Sequence, residues 1–256
     1  MMLEEALRPG TAQADRPQIL PAGGDGLLVR FALVAEPRAI AAAQSFHQRV
    51  TESDLAGLRE IVPSLVSVLL RFDPEAVTRA EMAQRLETLL SEADWLSAAP
   101  HPAQRVWHLP VAFGGVHGPD LEEAAKLAGL SPQTAIDEIT ATPLSILAIG
   151  FAPGQPYLGL LPEHWNLARR SELNPRVPKG ALCVAVRQLV LFANASPTGW
   201  HQIARTAFDV FRPDQSDPVP LHAGDEVRLA PVSGTEMDAL LKAGDPMGGA
   251  RCEVRS

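Results

Sequence analysis

Residues 150–162, GFAPGQPYLGLLP, gather three glycines, three prolines and the only tyrosine of the chain, Tyr157. Glycine admits a ligand close to bare backbone, proline holds a loop in one shape, and a phenol ring offers a flat wall. The combination suits a binding loop, and it suits equally a rigid connection between strands. Asn194–Trp200, NASPTGW, is a second turn of the same kind ending in an indole. Arg169, Arg170, Arg176, Lys179 and Arg205 concentrate positive charge in a chain of net charge −8. A guanidinium grips carboxylate or phosphate with two parallel hydrogen bonds, or pairs with acids at the surface.

Other chemistries lack their signatures. The loop at 150–162 has neither a G-K-[ST] ending nor G-x-G-x-x-G spacing, so no nucleotide-phosphate cradle is predicted. Ser196 is not in a G-x-S-x-G elbow, and no histidine is placed beside it by a motif. Without H-x-x-x-H or C-x-x-C, no metal site is predicted. No general base or nucleophile stands out, so the catalytic residues are unassigned. Residues 120–140 resemble a helix-turn-helix, but the second helix carries Asp137 and Glu138 and no Lys or Arg. Carboxylates repel the phosphate backbone, and an acidic chain has no general attraction for it, so no nucleic-acid partner is expected. The longest apolar runs, such as Ala181–Val186, fall far short of the ~18 residues of a membrane span. The start, MMLEEALRPG, lacks the basic region of a signal peptide, and Cys183 and Cys252 cannot build a disulfide framework. A cytoplasmic location is expected.

The elements that must position these residues fall into two halves. A flexible tail is expected over 1–20. A small two-layer α+β domain follows over 21–100: a strand from Gly26, a helix started by Pro37 with Ile40, Ala43, Phe46 and Val50 on one face, a strand at Leu65–Phe72, and a helix capped by Thr78 with Glu81. Over 101–235, a strand at Val106–Val111 and two short helices lead into apolar runs cut by Gly and Pro. Leu144–Ile149, Ala181–Val186, Leu189–Ala193, Ala207–Phe211 and Glu226–Leu229 predict a β-barrel or sandwich. Asp120, Gly129 and Ser131 are expected to cap the two helices, and 236–256 is expected to be a C-terminal tail.

The runs F-A-P-G-Q-P-Y-L-G, R-V-P-K-G, S-P-T-G-W and I-A-R-T, in that order, resemble the family of the 5-oxoprolinase B subunit, also called allophanate hydrolase subunit 1 or kinase-inhibitor-like, with carboxyltransferase subdomains C and D. The family pattern is G-F-x-P-G-F-P-Y-L-G, R-V-P-A-G-S, S-P-G-G-W and I-G-R-T-P. The resemblance implies an α+β fold, a small N-terminal domain followed by a cyclophilin-like barrel. It implies two partners, a C component from a homologous complex and a third 5-oxoprolinase component, and ATP as the cofactor of an assembly that hydrolyses 5-oxoproline to glutamate. Alternatives within the same resemblance are a carboxyltransferase module of a urea-carboxylase-like system, which would need a biotin carrier, and a non-catalytic inhibitor of a histidine kinase.

Matching positions supply the expected binding residues for a small amide or carboxylate. Tyr157, Arg176, Gln188, Ser196 and Trp200 are expected to line one cleft, and Pro153, Gly154, Pro178, Gly199 and Arg205 complete the set. The chain departs from the pattern at Gln155, at Ile139 and Ala181 where the family has His and Ser, at Thr198, and at Ala204 and Ala207. If the lost His and Ser face the cleft, the family activity is weakened or redirected.

Overall fold

Thr78 and Glu81 close a reciprocal capping box: the Thr78 hydroxyl accepts from the Glu81 amide while the Glu81 carboxylate accepts from the Thr78 amide at 2.9 Å. The helix this starts belongs to the first of two units into which the chain divides at 101/102. A computed structural model describes residues 16–97 and 102–255.

The first unit runs β1 (Gln18–Ala22), β2 (Gly26–Arg30), α1 (Pro37–Thr51), β3 (Leu58–Ser64), β4 (Ser67–Phe72) and α2 (Arg79–Leu90). The strands pair antiparallel in the order β1-β2-β4-β3. Val68, Leu70 and Phe72 alternate inward along β4 and meet Phe46 and Val50 of α1 and Met82, Leu86 and Leu89 of α2 in one core. The sequence shows neither β1 nor β3. Pro21 and Pro63 interrupt their apolar patterns, and both strands are mostly half-exposed. The expected tail is thus corrected: 1–15 lie outside the described residues, and Gln18–Leu20 belong to a paired strand.

The second unit contains β5 (Arg105–Phe113), α3 (Leu121–Leu127), α4 (Pro132–Ala141), β6 (Leu144–Ile149), β7 (Pro156–Gly159), β8 (Asn174–Val177), β9 (Ala181–Ala185), β10 (Gln188–Leu191), β11 (Ser196–Thr198), β12 (His201–Arg205), β13 (Glu226–Pro231), α5 (Gly234–Ala243) and β14 (Arg251–Val254). Seven strands close a barrel in the order β6-β13-β5-β12-β9-β10-β7, with β7 returning to β6. Only the β13–β5 pair is parallel among these. Leu109, Val111, Leu144, Ile146, Leu158, Leu182, Val184, Leu189 and Ile203 belong to its apolar core. The expected class, α+β with a barrel second half, is the one observed.

The helical hairpin packs its apolar face on this core through Leu121, Ala124, Ala135 and Ile139. Ser131 caps α4, and Gly129 at φ +73° lets its own amide reach Lys126 and the Leu130 amide reach Ala125, closing α3. Asp120 makes no cap bond. Its carboxylate serves Arg170 and the Gln202 amide instead, each at 2.8 Å.

Two further expectations are corrected, and one strand was not foreseen. Ala207–Phe211 is not a strand, because its amides go elsewhere: Phe208 donates to the Thr206 hydroxyl and Asp209 to the Pro246 carbonyl. Strand β12 was hidden by His201 and Gln202, which are buried. The 236–256 segment is no tail, since α5 starts at a Ser233–Glu236 capping box and β14 pairs with β5.

Candidate binding cleft on the barrel wall

All five residues of β9 are buried. Leu182 and Val184 join the main core, while Ala181, Cys183 and Ala185 join a second cluster with Val177, Val190, Phe192 and Trp200. Side chains alternate along a strand, so β9 and β10 must be covered on both faces. The second cover is the β8–β11 ribbon together with Tyr157 and Trp200. Burial in this layer pushes the Cys183 thiol far up, so it stays protonated and unreactive.

A cleft of about 280 Å³ opens against this cluster. Tyr157 and Trp200 meet edge to face in its wall, with Val190, Phe192 and Leu173 adding apolar surface. The Thr198 hydroxyl accepts from the Trp200 amide at 3.1 Å and so orients the indole turn. Gln155 is buried, and its Oε1 accepts from the Ala193 amide at 3.4 Å. Its Nε2 makes no hydrogen bond within the described residues, leaving a donor for an occupant.

Charge enters through the segment Arg169–Arg170. The Arg170 amide donates to the Gly199 carbonyl at 2.7 Å, and its guanidinium bonds Asp120 and Glu123. Arg169 lies over the Trp200 ring at 5.6 Å and makes no ion pair among the described residues. Its charge is therefore available to an anion at the cleft mouth. Phe151 stands at the rim, 80% exposed and at φ +71°, a left-handed conformation that costs a bulky residue about 1 kcal/mol or more. The arrangement can pack a small planar group, donate to a carbonyl and hold a carboxylate.

Of the expected cleft residues, Tyr157, Trp200 and Gly199 share this cavity. Arg176 does not. It alternates with buried Val177 on β8 and is exposed on the opposite side. Gln188 starts β10 on the same face as Val190, but two residues further along the strand and outside the cleft. Ser196 pairs with Val177 in the ribbon and turns its hydroxyl to the Pro197 carbonyl. Pro178 and Arg205 belong to a packed turn: Pro178 accepts from the Ala181 amide, and Arg205 donates to the Lys179 carbonyl. Pro153 is exposed outside the cleft, and Gly154 serves packing, since a Cβ there would sit 2.3 Å from the Val210 carbonyl oxygen. Ile139 and Ala181 are fully buried and line no part of the cleft, so a His and Ser at these positions would not face it. Sequence reasoning missed Gln155, Phe192 and Phe151 as lining residues. Phe192 carried no polar signal, and Gln155 counted as a departure.

A small α+β unit followed by a closed barrel with an aromatic cleft on its outer layer defines a two-unit α+β protein with a β-barrel second unit. The chain belongs to the family of the carboxyltransferase domain, subdomain C and D, which matches residues 17–221. It is 27% identical over 238 residues to the 5-oxoprolinase B subunit of Bacillus subtilis (strain 168), covering 88% of this chain and 96% of that protein. It is 32% identical over 203 residues to the protein of the same name from Escherichia coli O157:H7, covering 78% and 90%. The crystal structure of Kluyveromyces lactis urea carboxylase shares the fold, with a TM-score of 0.73 at 16% identity over 96% of this chain and 25% of that one. Among the described residues, no helix is long and apolar enough to cross a membrane.

Proposed function

We propose that the chain is the B component of an ATP-dependent amide hydrolase of the 5-oxoprolinase type. It would act with a C component and a third component, opening the lactam of 5-oxoproline to glutamate. The observation that carries this reading is the near full-length match to two relatives that bear the name. The cleft supports it. Tyr157 and Trp200 would wall the flat lactam, Gln155 Nε2 would donate to its carbonyl, and Arg169 would take the carboxylate.

ATP belongs, in this reading, to the assembly. Of the arginines at the cleft, Arg170 is spent on Asp120 and Glu123, and Arg169 alone does not make a triphosphate cradle. No step through ATP is therefore assigned to this chain. The test is 5-oxoproline-dependent ATP hydrolysis by the three co-expressed components. Tyr157→Ala should lower it about tenfold, the loss of roughly 1.4 kcal/mol of binding. Turnover that is full without this chain would overturn the reading.

The fold shared with urea carboxylase favours a second reading, a carboxyltransferase module served by a biotinylated carrier. Carboxyl transfer from such a carrier, with no lactam cleavage, would decide for it.

A further inference from the structure

A second cavity, of about 450 Å³, shares Arg169 and Arg170 with the aromatic cleft and adds Glu123, Glu172, Asn166 and His201 to its wall. His201 is only 3% exposed. Its Nε2 lies 3.4 Å from the Ala168 carbonyl oxygen, which can only accept, so that nitrogen carries the proton. Nδ1 is buried and without a hydrogen-bond partner, and in the neutral ring it is an acceptor. It faces the Glu123 carboxylate across 4.0 Å. Glu123 Oε2 already takes a hydrogen bond from Arg170 Nη1 at 3.1 Å, and its carboxylate keeps further lone pairs, whereas Nδ1 of the neutral ring has no donor at all, a costly arrangement for a buried imidazole. A group with two or more N–H bonds would satisfy both at once.

Charge narrows the choice. Glu123 and Glu172 balance Arg169 and Arg170 around the cavity, and Arg169 has no ion pair among the described residues. Two carboxylates on the wall repel a polyphosphate, whereas a zwitterion matches both signs.

We infer that this cavity binds a free α-amino acid, its ammonium between His201 Nδ1 and the Glu123 carboxylate and its carboxylate on Arg169. This goes beyond the lactam reading and does not depend on it; because Arg169 takes the carboxylate in both, the two occupants would exclude one another. A lactam or an N-acylated amino acid has a single N–H and no positive charge, and cannot fill the gap in the same way.

The experiment is titration calorimetry on the intact chain with L-glutamate, L-alanine, their N-acetyl derivatives and 5-oxoproline. Each free amino acid should bind at least about tenfold more tightly than its N-acetyl form, because a hydrogen bond to a charged group is at stake. Glu123→Gln should weaken binding about tenfold. Glu123 is half exposed, so that variant should fold and decides the matter should a His201 variant not. His201→Leu should abolish binding, and His201→Asn, which keeps an acceptor, should restore part of it. Equal affinity for free and acetylated forms, unchanged binding by Glu123→Gln, or no binding of either free amino acid would each overturn the inference. Should the assembled complex still cleave 5-oxoproline in that event, the proposed function stands and only the second site falls.

Discussion

The indole of Trp200 meets the phenol of Tyr157 edge to face, with centroids 6.2 Å apart and planes at 73°. Tyr157 stands on β7 and Trp200 in the turn between β11 and β12, and the two rings join the cover of the β9–β10 outer face to the wall of the cleft. Trp200→Ala removes both. It should cost about 3–5 kcal/mol, as for other buried aromatic truncations, with loss of ligand binding. Trp200→Phe should recover much of the stability. Denaturant unfolding with a parallel binding assay checks this, and an unfolding midpoint left in place by Trp200→Ala would refute it.

Phe151 separates strain from function. Its ring is almost fully exposed, so little burial is lost on truncation, while its left-handed backbone favours glycine. Phe151→Gly should be about 1 kcal/mol more stable than Phe151→Ala. If the ring closes over the cleft occupant, both variants should bind more weakly. Thermal unfolding of the two variants side by side gives the comparison.

Asp225 is buried at the start of β13, where it accepts from Trp107 Nε1 at 3.1 Å and the His222 amide at 2.9 Å and pairs with Arg105. Burial pushes its pKa up, against the lowering effect of these partners. Asp225→Ala leaves the partners unsatisfied and should cost about 3 kcal/mol. The pH sign follows from the raised value: the folded state holds the proton more tightly, so its contribution is present below the unfolded carboxylate range and lost as pH rises through the folded pKa. The stability of the wild type relative to Asp225→Asn should therefore fall with rising pH across that window.

Glu81 carries the opposite sign. Hydrogen bonds from the Thr78 hydroxyl and amide hold its carboxylate below the usual range. Its contribution is present above the ordinary carboxylate pKa and lost as pH falls through the depressed value. Protection of the Thr78 amide, measured against its own pH-dependent intrinsic exchange rate, should fall on acidification in the wild type, and Glu81→Gln should flatten that dependence. Thr78→Ala should cost about 1 kcal/mol at neutral pH.

Local signals were legible wherever one short stretch carried the whole instruction. Pro37 starts α1, Thr78 and Ser131 cap their helices, and Gly129 closes α3, because each of these acts on backbone groups within a few residues. The short apolar runs of Leu144–Ile149 and β9 likewise announce strands in a buried sheet. The ordered turn motifs also carried the family, and with it the two-unit barrel architecture.

Which motif residues share a cleft was decided only in three dimensions. The R-V-P-K-G run places Val177 under Trp200 and turns Arg176 to the opposite side, since adjacent residues on a strand point opposite ways. Gly154 reads as a ligand-approach glycine, yet it is the Val210 carbonyl, far along the chain, that needs the space. His201 and Gln202 read as polar residues that break a strand. The barrel buries them because Ala168 and His117 supply carbonyl acceptors from elsewhere in the unit. Capping and alternation depend on neighbours in sequence, and so the chain states them. A cleft depends on which distant backbones approach one another, and that is settled by closing seven strands into one barrel.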